Sequence, residues 1–528
     1  MKKLLMLVIL LFIFVISACG RNLEDEDYQP YQGFQGGGLY NIEIESQQGR
    51  VFTYAELVLA VSDTSFETVV QLAADIYLES ALRIPRNRIV TLTSAEGYDF
   101  SLIANGDFDA IFVEANAELT IKSIRVLRAE ETEGRGIYNA GTLILESGYI
   151  AYHRTTSTGT LGWGGGVFNG DGGNFTMRGG TISDNSTANR GGGVYNHPNA
   201  TLVIEGGKIY NNTADNLGGG VYNLGEFNMY YGAILNNSAN FSGGVNNDGN
   251  FVIRGGEISN NEANRNNGGV GNNGSFVMYD GLISNNSAIW GAGVNNTGKF
   301  DMFSGIINNN NASSGGGGIN NNATFIMHSG TILNNNAAWG GGVRNQGTFT
   351  MSSGLIVGNE GISGSGGIEN RGSYAVFTME GGEIVHNRSA WGGGVGIYHA
   401  MFIMHGGTIY RNIATTNGGG LHMQGNEEEG FGRFYMYGGE ILFNTADTNG
   451  GGVHLAASAI FNMNNGRIVN NNALSGGGVQ NWGEFNMYNG TISQNTTQWN
   501  NGGVSNANDA VFEWHGGTIS NNTPGDGV

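Results

Sequence analysis

One repeat decides what this chain can fold into. From Gly164 onward a unit of about 25 residues recurs: G-G-G-V-x-N, a short turn, F-x-M, G-G-x-I-x-x-N, then a small residue. The Ile of G-x-I, with paired glycines before it in seven units, returns fourteen times between Ile182 and Ile519. A fixed period of this length means a solenoid, because one unit cannot bury its apolar side alone and stacking supplies the partner. Each unit holds three short apolar segments of period two, too short for helices and bounded by Gly and Asn. The expected fold class is therefore all-β, a solenoid of stacked parallel coils with three strands per coil. Equivalent residues then sit about 4.8 Å apart, and like side chains form columns. The first position of F-x-M is Phe in thirteen units and Leu202 in the other. The second is Met in eleven, with Ile204, Ile253 and Trp514 in the rest. These columns read as core, and Trp514 reads as a residue that helps close it.

The Asn columns are the sharpest signal. Three residues after each repeat Ile stands an Asn: Asn185, Asn212, Asn237, Asn261, Asn286, Asn310, Asn335, Asn359, Asn387, Asn412, Asn444, Asn471, Asn495 and Asn522. A second column follows the Val of G-G-G-V by two residues in eleven of fourteen units. Asn tolerates left-handed backbone and bonds neighbouring backbone, which suits a corner, and stacked amides bond coil to coil. Both columns read as structural. Composition then removes other classes. With 4 Pro beside 93 Gly the chain is no collagen, and 13% charged against 39% hydrophobic residues is not the balance of charge-driven disorder. One Cys excludes a disulfide scaffold. A formal charge of -20 argues against a nucleic-acid partner.

Residues 1–18 read as a secretory signal: Lys2 and Lys3, an apolar run to Val15, then Ile16-Ser17-Ala18. With Cys19 these small residues resemble the lipobox of bacterial lipoproteins, with Ile16 where Leu is usual. The resemblance implies cleavage before Cys19 and lipidation of Cys19, so that acyl chains hold the protein on a bacterial membrane, outside the cytoplasm, without a spanning helix. Residues 19–50, with Glu24-Asp25-Glu26-Asp27, read as a flexible acidic tether. Residues 51–163 read as an N-terminal cap and irregular first coils. Thr53-x-x-Glu56 is a capping box that predicts a short helix from Tyr54 to about Val61, covering the first coil's open edge. Residues 164–528 are the regular repeats. Coils of this length with an Asn ladder resemble the right-handed parallel β-helix of the pectin-lyase-like superfamily. The G-G-G-V and I-x-x-N elements also resemble the repeats of chlamydial polymorphic outer-membrane proteins. That resemblance implies surface display; it extends to no C-terminal membrane barrel here.

No catalytic residue and no cofactor stand out. The residue after each Met runs Arg178, Glu205, Tyr230, Arg254, Tyr279, Phe303, His328 and onward without a repeated acid, and reads as an unselected exposed face. One region breaks the rules. The second Asn column fails in three consecutive units, giving Ile397, Met423 and Leu455. Beside them lie Trp391, Tyr398 and His399; His422 and His454 occupy equivalent places one coil apart, and an insertion carries Glu427, Glu428 and Glu429. Stacked His with nearby Glu suits a metal or ligand, and rule-breaking in a regular structure is where function is expected. No metal is assigned. The expected role is a non-enzymatic cell-surface lipoprotein in adhesion or surface interaction, with an extracellular protein or glycan as partner. The alternative is a carbohydrate-binding or polysaccharide-cleaving β-helix.

Overall fold

The computed structural model describes residues 49–63, 67–426, 428 and 430–527. The signal, Cys19, the tether to residue 48, and Glu427 and Glu429 lie outside the described residues. Residues 48–528 form one unit, a parallel β-solenoid whose broadest sheet contains 19 strands, one per turn. Fourteen turns carry the regular repeat. Five irregular turns precede them, entering that sheet as Arg50–Val51, Glu67–Leu72, Ile89–Ser94, Glu118–Lys122 and Thr142–Leu145.

Three sheets run along the regular solenoid, built from the three segments of each unit. The Phe–Met sheet takes strands such as Ser275–Met278, the Ile sheet strands such as Leu282–Ser284, and the Val–Asn sheet strands such as Val270–Asn272. Pairing is parallel and in register between coils: Phe276 pairs with Phe300 and Met278 with Met302. The expected three strands per coil are one too few. A fourth sheet of 14 short strands follows the ladder Asn, from Arg154–Thr155 to Thr496–Thr497. It forms because the small residue two places after the ladder Asn turns inward and fits the corner, as with the buried Ala263, Ala312 and Ala337.

The inward columns are core. Phe rings stack coil on coil, 4.6 Å apart between Phe276 and Phe300 and 4.9 Å between Phe300 and Phe325. Fully burying one such ring contributes about 1.5–3 kcal/mol. Trp514 does not close this core: it is 46% exposed, and its indole N–H donates to Gly516 O at 2.9 Å. The glycines of the G-G-G-V run permit the coil spacing. A Cβ on Gly220 would lie 2.7 Å from Gly244 O and 2.8 Å from Ile234 Cγ2.

Each ladder Asn fastens three coils. Asn310 Nδ2 donates to Ile283 O of the preceding coil and to Asn335 Oδ1 of the next, both at 3.0 Å. Its own Oδ1 accepts from Asn286 N and Asn286 Nδ2, both at 3.0 Å. The left-handed corner expected of these residues belongs instead to the residue before each. Asn236, Asn285, Asn309 and Asn334 have φ of 52–55°, and Arg411 and Phe443 take the same backbone. The Asn-Asn doublets thus divide the work: the first bends the chain and the second bonds the coils.

The ladder also begins and ends on residues that are not Asn. His153 holds the ladder position one coil before Asn185. Its backbone N–H donates to Asn185 Oδ1 at 3.0 Å, and its Nε2 lies 3.0 Å from Val126 O. Burial pushes this imidazole down to about 3. At the other end Asp526 Oδ1 accepts from Asn522 N at 2.9 Å and Asn522 Nδ2 at 3.0 Å, in place of another amide. The first coils are covered by helix Tyr54–Ser62. Its capping box is formed: Thr53 Oγ1 accepts from Glu56 N, and Glu56 Oε2 accepts from Thr53 N at 3.2 Å. Leu57 and Val61, one turn apart, enter the core.

Candidate functional site

The middle residue of V-x-N points away from the core, so strand alternation assigns it to solvent. It is nevertheless buried along most of the solenoid, because the segments that lead from the fourth sheet into the glycine run fold over it. Trp163 stacks on Tyr195 at 4.9 Å, Arg344 lies over Trp290 at 4.8 Å, and Trp391 stacks on His422 at 6.0 Å. This makes a second, external core. Its first part is aromatic: Phe112, Tyr138, Phe168, Tyr195 and Tyr222 stack at 4.7–5.6 Å. Tyr222 donates its hydroxyl proton to Asp248 Oδ2 at 2.6 Å, and burial raises its pKa. Farther along, the column turns polar and runs Arg344, Glu369, Gly396, His422, His454 and Gln480.

That polar stretch contains most of the expected patch. Ile397, Met423 and Leu455 replace the second Asn column and are fully buried. Asn370, the last Asn before the break, donates to Met401 O at 2.7 Å. The strands Ile368–Arg371, Val395–Tyr398 and Leu421–Gln424 each continue one residue past the Asn position. Tyr398 therefore joins the outer side of the sheet and folds back over Gly396. A Cβ at Gly396 would lie 1.9 Å from Ser365 Oγ and 2.7 Å from Tyr398 Cε2, so only glycine leaves this room. The Tyr398 ring then meets His422 at 5.7 Å and the Arg371 guanidinium at 4.8 Å.

His422 and His454 are the centre of the patch. Their rings are nearly parallel, with Nδ1 atoms 3.1 Å apart, so one imidazole donates its N–H to the lone pair of the other. Burial lowers His422 to about 4 and His454 well below its ordinary value, with the neighbouring imidazole adding to the second. Both rings are neutral at physiological pH. Trp482 meets His454 edge to face at 4.8 Å. Glu369, 1% exposed, pairs with Arg371 Nε at 3.0 Å and Arg344 Nε at 3.7 Å, while desolvation raises its pKa. The Ser365 and Tyr398 hydroxyls and His454 Nε2 hold no hydrogen bond of ordinary geometry. Buried polar groups left in that state cost free energy.

Not every expected member gathers here. His399 is buried with left-handed backbone, and its Nδ1 lies 3.1 Å from Gly430 O, which ties it to the inserted loop. Glu428 is exposed on that loop, and Asn426 pairs with Gly430 across an antiparallel bridge. Among the described residues no three His, Cys, Asp or Glu side chains are grouped to hold a metal. Two imidazole nitrogens supply half of a zinc site. What the patch does present is aromatic: Trp339, Trp391 and Trp482 are 38%, 41% and 44% exposed above the buried polar groups. Sequence reasoning missed Arg344, Glu369 and Ser365, which occupy or adjoin a column that alternation assigns to water.

The position after Met, read above as unselected, is also ordered. Arg254 lies over Tyr230 and Tyr279, Tyr279 stacks on Phe303 at 5.0 Å, and Phe303 stacks on His328 at 4.2 Å. No protein-family model, curated protein or solved structure matches the chain. Among the described residues no helix is long and apolar enough to cross a membrane.

Proposed function

We propose that this is a lipid-anchored protein of a bacterial cell envelope whose β-solenoid body acts in adhesion or another surface interaction, without chemistry of its own. The observation that carries the reading is the set of partly exposed indoles Trp339, Trp391 and Trp482 along the outer face of the Val–Asn sheet, two of them against the stacked His422 and His454. Large aromatic side chains on a rigid scaffold are the residues that dominate recognition surfaces. The one buried carboxylate beneath them, Glu369, is ion-paired to two guanidinium groups. Glycoside hydrolysis instead uses two carboxyl groups about 5–9.5 Å apart with work divided between them. The Ile16-Ser17-Ala18-Cys19 sequence supports lipid attachment at Cys19. The coil length and the Asn ladders support reading the solenoid as a right-handed β-helix of the pectin-lyase-like kind.

Two measurements test this. Cys19→Ser moves the protein from the membrane fraction to the soluble one; unchanged retention refutes the anchor. Glycan arrays with and without Ca²⁺, and pull-downs from extracellular proteins, then compare the wild type with Trp391→Ala and Trp339→Ala. Binding that weakens tenfold or more in both variants supports the patch as the recognition surface. Release of cleaved sugar from a bound glycan overturns the non-enzymatic reading.

A further inference from the structure

Beyond that reading, the outer face of the Phe–Met sheet carries an interaction surface of its own. The face has three outward columns per coil, the residues at positions one, three and five of sequences such as Ser275-Phe276-Val277-Met278-Tyr279. Between coils 201–205 and 324–328 its middle column reads Val203, Asn228, Val252, Val277, Asp301 and Ile326. Tyr230, Tyr279 and Phe303, about 40% exposed, line its margin. Tyr231 adds a ring 69% exposed, and a shallow hollow of about 370 Å³ opens among Val203, Glu205, Tyr230 and Tyr231. Contiguous exposed apolar area of this kind marks a docking surface.

The rings argue against a sugar as the occupant. Apart from Tyr231, they are stacked on one another and on Arg254 at 4.2–5.8 Å and turn edges rather than faces outward. A sugar ring needs a free aromatic face to lie on. The order of charges argues for a second copy. Counted from the coil of Tyr279, Arg254 is one coil before and Phe303 one after; Tyr230 is two before and His328 two after; Arg178 is four before and Glu380 four after. A two-fold axis through the coil of Tyr279, parallel to its strand, maps each of these onto its partner. Guanidinium then meets ring, ring meets imidazole, and Arg178 meets Glu380, while Tyr279 and Val277 face their own copies. The eight intervals from Arg178 to Glu380 span about 38 Å, and with three columns they offer roughly 650 Å² per copy. Doubled, that is about 1,300 Å², within the range of specific interfaces.

We propose that two copies associate side by side and antiparallel through the Phe–Met sheet, with the two-fold axis at Tyr279. The test is cysteine cross-linking of the full-length protein in its own membrane, read as dimer on a non-reducing gel. Tyr279→Cys cross-links to itself, because the axis brings residue 279 against its own copy. Arg178→Cys and Glu380→Cys each give no dimer alone, and their double variant does. Tyr488→Cys, on the same column but far from the axis, gives none. Arg254→Glu lowers the Tyr279→Cys cross-link at least tenfold while leaving the circular dichroism unchanged, since its side chain lies on the surface. The proposal is overturned if Tyr279→Cys fails to cross-link, or if Tyr488→Cys does so equally. A dimer from Arg178→Cys alone overturns the antiparallel order.

Discussion

Replacing one amide in the middle of the first ladder tests whether side-chain bonds hold the coils at the corner. In Asn310→Ala the backbone N–H of Asn286 loses its acceptor in a fully buried position, and three further bonds around the amide disappear. An orphaned buried donor costs about 1–3 kcal/mol and each lost bond about 1 kcal/mol, with partial compensation between them. We take about 3 kcal/mol, which is roughly a hundredfold in the local opening equilibrium. Solenoids open locally rather than all at once, so a single melting midpoint is the wrong readout. Amide hydrogen exchange resolves the coils. The Asn286 amide exchanges about a hundredfold faster in Asn310→Ala, and coils near Leu143 do not change. Asn311→Ala is the control: it is the adjacent Asn of the same run, but exposed. If Asn286 exchange stays within threefold of wild type, or if Asn311→Ala does the same damage, the ladder is not what secures the corner.

Acid selectively weakens the fold. His153 and His422 are buried with pKa values of about 3 and about 4, against 6.5 unfolded. The unfolded chain takes up the extra protons, so stability is full above pH 6.5 and falls as pH drops toward 4, by about 2 kcal/mol per ring at pH 5. Denaturation midpoints at pH 7.5 and 5.0 check this, and His422→Gln shrinks the difference. Gly396→Ala forces Ser365 Oγ aside and costs about 1–3 kcal/mol, seen as faster exchange around Ser365. Ser365→Gly restores it. Asp526→Ala exposes the Asn522 donors and speeds exchange of the last coil severalfold, with no effect at Asn310. Loss of protection along the whole solenoid refutes that local role.

The inward columns were legible because every coil asks the same thing of them. Phe, Met, Ile and both Asn positions face identical neighbours above and below, so each coil needs the same residue there. The fourth sheet was hidden because its inward residue need only be small, and Thr187, Ala214, Gly361 and Ser389 all fit. The external core was hidden for a different reason. Its column passes from Tyr222 through Asn246 and Gly271 to Glu369 and His422, so no residue type repeats, and alternation assigns it to water. Burial there comes from a covering segment that strand periodicity does not encode. The broken Asn column is what singled out Ile397, Met423 and Leu455, yet the buried charges beside them, Glu369 and Arg344, lie in coils where that column is intact. His153 and Asp526 escaped because a ladder sought as Asn cannot show ends made of other residues.

The ladder has a direction. Every amide donates one side-chain N–H to the amide of the higher-numbered coil and the other to a backbone carbonyl of the lower one, while its oxygen accepts from the lower amide, so the amide-to-amide bonds all run in one sense along the stack. Bonds that run in one sense polarise one another and leave a positive pole where the last N–H groups point. Asp526 places an oxygen of opposite charge at that pole, as an acidic residue does at the start of an α-helix. The seal is portable: Asn522 and Asp526 are four residues apart, and every other coil has the same ladder geometry. A solenoid cut after any ladder Asn, with Asp placed four residues beyond it, carries its own polar terminus, and its length becomes a free variable counted in whole coils.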